Sequence, residues 1–147
     1  MAGIEELKQQ YLSLDREVPF VGEEAVDPRV LLVFPYEYPD QAAEVAITTD
    51  EFTAVCPWTG LPDYGTLTIR YVPGPSCIEL KSLKYYLLSY RQVGIVQEHA
   101  AARILKELVE AARPQRMMVT LDYNVRGGLH TVVTVTYPER DPASASS

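Results

Sequence analysis

The chain has 147 residues and a formal charge of −7, with 13 Lys and Arg against 20 Asp and Glu, which argues against a broad phosphate-binding surface for a nucleic acid. That length suits one compact domain with its own core, and no apolar run approaches a membrane span or a secretory signal. Two cysteines without a CxxC spacing point to a reducing compartment rather than a disulfide framework, so the expected location is the cytoplasm.

Residues 1–28 read as an N-terminal arm with a short helical segment from Ile4 to Leu14. The Val-Leu-Leu-Val-Phe run within Arg29–Tyr38 reads as a strand cut off by Pro35 and Pro39. Glu44–Thr49 and Thr66–Pro73 are β-branched and alternating, so both are expected as strands. Between them lies Cys56-Pro-Trp-Thr-Gly-Leu-Pro-Asp63, a loop stiffened by its prolines. Ile78 and Glu79 end a short extended piece. Leu80–Gln92 then follows a helical period with Leu83, Leu87 and Tyr90 along one side, and Gly94 interrupts it.

A second helix is expected over Glu98–Ala112, with Ala101, Ile104, Leu105, Leu108 and Val109 inward and a stop before Pro114. Arg116–Arg126 alternates as a strand with Met117, Val119, Leu121, Tyr123 and Val125 on one face. Gly127-Gly128 turns the chain, and Leu129–Tyr137 returns as its hairpin partner. Residues 29–140 form the single domain, and 141–147 are read as a disordered tail. Strands, two helices, then strands define an α+β protein.

Chemistry concentrates in the loop. Cysteine reacts as its thiolate and is the best side-chain nucleophile near neutral pH, and Asp63 on the same loop is a candidate proton donor. The bland alternatives are a small buried hydrophobe for Cys56 and turn chemistry for Asp63 in Pro-Asp-Tyr-Gly. Lys81 and Lys84 share one helical face, which suits either a solvated surface or an anionic ligand, with Arg91 close by in sequence. Glu98 is an ordinary acidic residue for a helix first turn. Trp58 and the Tyr-rich helix could stack on a base, and are read as packing residues. Zinc at Cys56, Cys77, His99 and His130 is disfavoured, because no pair has the close spacing of a structural site, so no metal is expected. No GxGxxG is present, which excludes a Rossmann cradle.

The segment Glu79-Leu-Lys-Ser-Leu-Lys-Tyr-Tyr86 resembles, position for position, the signature of the NADPH-dependent nitrile reductases of the QueF family. Glu51–Asp63 resembles that family's nucleophile segment. Ser89–Gly94, Gln97-Glu98 and Arg126-Gly-Gly128 resemble its later blocks in the same order, so the likeness runs from about Val45 to Val133.

The resemblance implies a tunnelling fold (T-fold), in which ββααββ units of several subunits close an oligomeric barrel with sites at subunit interfaces. It implies reduction of the nitrile of 7-cyano-7-deazaguanine to an aminomethyl group with NADPH, for queuosine modification of tRNA. The free deazapurine is the expected partner, with no direct nucleic acid and no membrane. By resemblance Cys56 is the thioimide-forming nucleophile and Asp63 the proton donor. Ile78, Glu79, Leu80, Gln97 and Glu98 hold the base, and Lys81, Lys84 and Arg126 hold NADPH phosphates.

A carboxylate at Glu98 suits adjacent N–H donors of a guanine-type edge. Many relatives have His before that glutamate; here Gln97 stands there and His99 follows, and His99 receives no role. The rival readings are an amidinotransferase-like relative, delivering ammonia to a nitrile already in tRNA, and a non-catalytic T-fold protein binding purines or pterins. Retained Lys81, Lys84 and Arg126 and the acidic charge speak against the first. The presence of both Cys56 and Asp63 speaks against the second.

Overall fold

The computed structural model describes residues 1–14 and 18–139; the tail expected at 141–147 lies outside them. Helix α1 (Ile4–Leu12) has no buried residue, so it contributes nothing to the core. Two single 3-10 turns follow, Glu23–Ala25 and Pro28–Val30, the second started by the Asp27 carboxylate accepting from the Arg29 amide with Pro28 in the first position. That turn consumes Val30, so the strand expected from Arg29 shrinks to β1 (Val33–Pro35).

The remaining elements are β2 (Val45–Val55), β3 (Pro62–Val72), β4 (Ser76–Ile78), α2 (Leu80–Leu88), α3 (Gln97–Ala112), β5 (Arg116–Tyr123) and β6 (Val132–Tyr137). β2, β3, β5 and β6 form an antiparallel four-stranded sheet in that order, and β1 pairs with β4 beside it. Without the short β1–β4 pair, this is the expected ββααββ unit.

One face of the sheet is apolar and carries the helices. Leu67 and Ile69 of β3 and Val119 and Leu121 of β5 point inward, against Ile104 and Leu108 of α3 and Leu83 and Tyr86 of α2. The opposite face is polar and Thr-rich, with the hydroxyls of Thr48 and Thr68, and of Thr120 and Thr134, paired across strands. Among the described residues no helix is long and apolar enough to cross a membrane.

Several boundaries differ from the sequence expectation. β2 runs on to Val55 and β3 begins at Pro62, so the Cys56 segment is the tip of a long hairpin, and Asp63 lies inside a strand. A bulge between Thr49 and Phe52 lets β2 continue. Helix α2 ends at Leu88, where the hydrogen bonds tighten to Tyr90 N–Leu87 O and Arg91 N–Leu88 O. Val125, expected inward, is 66% exposed because β5 ends at Tyr123. The segment expected as an arm is fastened down: Val18 donates to Thr59 O and Val21 to Gln92 O, and Val26 is in the core.

Candidate active site

Cys56 directly follows β2, and its amide donates to Leu61 O at 2.9 Å while its carbonyl accepts from Gly60 at 2.7 Å. This closes a tight tip that needs Gly60 in a left-handed conformation, φ +74°, with Val18 O where a β-carbon would sit. The thiol is buried. Burial alone would raise its proton affinity, but the Thr59 hydroxyl, the Trp58 and Thr59 amides and the nearby Arg126 charge outweigh it, leaving the thiol below its ordinary range. A thiol biased towards thiolate has the chemistry a nucleophile requires. Trp58, read as packing, is instead 70% exposed at the tip.

Asp63 lies on the helix-covered face of β3, in line with Leu67 and Ile69, and its carboxylate is 6% exposed. Burial pushes its proton affinity up, and the Arg126 guanidinium opposes this without cancelling it. Arg126 Nη1 donates to Asp63 Oδ1 at 2.6 Å. Its position is set by the Arg126–Leu129 turn, in which Gly127 and Gly128 both have positive φ (60° and 78°) and the end residues exchange backbone hydrogen bonds.

Gln97 and Glu98 open helix α3 at this same end of the sheet. Val55 O accepts from Ile95 N, and the buried Tyr123 hydroxyl donates to Gln97 O at 3.1 Å. Tyr123 feels the charges of both Asp63 and Glu98, which together with burial raise its proton affinity. Glu98 and His99 are exposed. Thus Cys56, Asp63, Gln97, Glu98 and Arg126 form one cluster.

The other predicted residues sit elsewhere. Ile78 N donates to the Tyr71 hydroxyl at 3.0 Å, and Tyr71 pairs with Val45 at the far end of the β2–β3 hairpin. Tyr71 lies eight positions along β3 from Asp63, roughly 25 Å at about 3.3 Å per residue. Glu79 is the N-cap of α2, accepting from Lys81 N at 2.8 Å and Ser82 N at 2.7 Å, which holds its carboxyl below the ordinary range. Leu80, Lys81 and Lys84 are exposed on α2, and neither ammonium has an ion-pair partner among the described residues. Lys84 and Arg91 border a groove of about 280 Å³ between α2 and β2, floored by Ile47, Phe52 and Leu83.

Sequence reasoning missed Thr59 and Tyr123. A hydroxyl residue three positions after a cysteine in a turn was a legible signal for the first; nothing local marked the second. Among the described residues no group of three His, Cys, Asp or Glu is placed to hold a metal ion.

Fold and site together define a T-fold protein with a buried cysteine thiol close to a buried carboxyl. The QueF-like protein family matches residues 62–142. Two proteins named NADPH-dependent 7-cyano-7-deazaguanine reductase are each 52% identical to the chain. That of Caldicellulosiruptor bescii aligns over 83% of this chain and 93% of its own length, and that of Chlorobaculum tepidum over 76% and 96%. The crystal structure of an archaeosine synthase QueF-Like in the apo form superposes with a TM-score of 0.61 over 65% of this chain and 94% of its own, at 23% identity, which establishes the shared fold. The chain belongs to the QueF family.

Proposed function

We propose that this protein reduces the nitrile of 7-cyano-7-deazaguanine to the primary amine of 7-aminomethyl-7-deazaguanine with NADPH, for queuosine modification. The observation that carries the reading is the Cys56 thiol, biased towards thiolate, at one end of the sheet with the buried Asp63 carboxyl, which burial biases towards its acid form. The named relatives supply the substrate and the reductant.

The Cys56 sulfur attacks the nitrile carbon, one C–N π bond breaks, and the nitrogen takes a proton from Asp63, giving a neutral thioimide. Without the acid, attack would leave charge on nitrogen in a poorly solvated site. Glu98 accepts paired N–H groups from the base, and Gln97 and the Ile78–Glu79–Leu80 strip contact its remainder. NADPH, when bound, supplies hydride to the carbon held on Cys56. Lys81 and Lys84 fit its phosphates, because both are exposed cations on one helical face with no acidic partner among the described residues.

Ile78 is bonded to Tyr71, which lies eight positions along β3 from Asp63, roughly 25 Å of strand, and this supports a homo-oligomer in which one protomer's Ile78–Leu80 strip completes its neighbour's site. The net charge of −7 favours the free base over tRNA as substrate. Two free cysteines suit the reducing cytoplasm.

The test is the loss of NADPH absorbance on adding 7-cyano-7-deazaguanine, with product mass read in parallel. Two NADPH per amine is the expected stoichiometry, since nitrile to amine takes two hydrides and two protons. A Cys56 adduct without oxidation would instead indicate ammonia transfer, and neither signal would leave a binding protein.

A further inference from the structure

Arg126 carries an unexpected contact. Its assigned partners are cofactor phosphates, yet it is paired at 2.6 Å with the one carboxylate that must carry a proton. Asp63 is fixed within β3 and 6% exposed, whereas Arg126 is 55% exposed on a loop. Gly127 and Gly128, which follow it, have nothing within 4 Å of where a β-carbon would stand. The buried member is therefore held by the strand, and the exposed member has open space into which to swing.

The groups facing the Asp63 carboxyl can be named from each side. From the loop after β5 comes Arg126, and from β5 itself Tyr123, which also feels Glu98 of α3 and Tyr90 beyond α2. From the hairpin tip comes Cys56, which feels Arg126 too. Among these groups Arg126 is the sole cation. A guanidinium held by one carboxylate is in direct competition with a ligand that offers several phosphate oxygens.

We propose that Arg126 is a positioning residue with two anionic partners, and that its transfer from Asp63 to cofactor phosphates loads a proton onto Asp63. The proposal rests on the NADPH reading above. In the free enzyme the Arg126 charge restrains Asp63 from taking a proton. Once Arg126 turns to phosphate, burial acts on Asp63 unopposed, and the carboxylate takes one proton from solvent. That proton passes to the nitrile nitrogen as the C–S bond forms. The acid is thus more fully protonated when reductant is in place than without it.

The test is calorimetric titration of NADP⁺, which binds without supplying hydride, into substrate-free protein at near-neutral pH in buffers of different ionisation enthalpy. Wild type should take up a measurable fraction of a proton per site beyond that seen with Asp63→Asn; any contribution from the cofactor's own phosphate is common to both and cancels in the difference. Arg126→Ala should still bind through Lys81 and Lys84, more weakly, with the difference gone. Equal proton uptake in wild type and Asp63→Asn overturns the proposal while leaving the cofactor reading intact. No binding of NADP⁺ or NADPH by wild type overturns both.

A second readout needs no variant. The pH profile of adduct formation between Cys56 and the nitrile substrate should extend its alkaline limb by about one unit or more when NADP⁺ is bound, the scale of losing an adjacent opposite charge. An unmoved limb overturns the proposal.

Discussion

At Cys56 two opposing effects set the chemistry, and the outcome depends on Thr59. Burial disfavours the thiolate, while the Thr59 hydroxyl heads the groups that stabilise it. A hydrogen bond to a charged group is worth about 1.5–3 kcal/mol. Thr59→Val should therefore raise the thiol's proton affinity and slow iodoacetamide alkylation of Cys56 about tenfold or more near neutral pH. The sign follows because less thiolate is present at pH 7; the two rates should converge at alkaline pH, where both thiols are ionised. Equal rates at neutral pH would remove Thr59 from the account. Cys56→Ala should abolish both the adduct and NADPH oxidation, and an adduct detected by intact mass in that variant would displace the nucleophile. Cys56 and Asp63 stand out through the likeness of Glu51–Asp63 to the family's nucleophile segment; their spacing alone leaves a buried hydrophobe and turn chemistry open. The Arg126–Asp63 pair was not, since 63 residues separate its members and no local pattern encodes it.

Among elements, hydrophobic period located the helices and sheet, and failed where the strands change phase. Ile47 and Thr49 point inward on β2, yet after the bulge it is Phe52 and Ala54 that are buried. Alternation is lost for one step, so a reading by period stops at Thr49. Beyond Tyr123 the pairing slips similarly: Asp122 faces Val132, but Arg126 faces Leu129, and Val125 turns outward. The helices hide a different feature. Glu107 is buried on α3, where Arg103 Nε donates to it at 2.8 Å and the Tyr86 hydroxyl of α2 at 3.0 Å, with Tyr90 at 2.9 Å from Tyr86. Burial and the adjacent charge push the Tyr86 phenol far above its ordinary range, so it stays a neutral donor. Tyr86→Phe should lower unfolding free energy by about 1–2 kcal/mol in urea titrations, because Glu107 keeps Arg103 but loses its second donor. NADPH affinity should be unaffected, since the triad lies in the helix interface and touches neither Lys81 nor Lys84. Unchanged stability would mean that another donor, such as Tyr90, takes the place of Tyr86.

For the whole molecule the decisive fact is that one chain leaves its chemistry in two places. Cys56, Asp63 and Glu98 gather at the tip of the β2–β3 hairpin, while Ile78 is bonded to Tyr71 at the other end and Glu79 starts α2 from there. The outer edges of β2 and β6 have no strand partner among the described residues, and such edges invite pairing with another copy. If neighbouring protomers join edge to edge and each site takes one cluster from each, inactive variants should rescue one another. Cys56→Ala lacks the nucleophile; Lys81→Ala with Lys84→Ala lacks the phosphate contacts but should retain the fold, because both side chains are exposed. Each alone should oxidise NADPH negligibly at modest cofactor concentration. Unfolded together and refolded at equal amounts, random assembly gives about a quarter of sites with both clusters intact, so about a quarter of wild-type activity should return. Sites contained within one protomer could not recover in this way, because every chain in the mixture carries one lesion. An inert mixture that still forms oligomers would therefore place both clusters' work within a single chain, and would require the α2 lysines to act on something other than the ligand at Cys56.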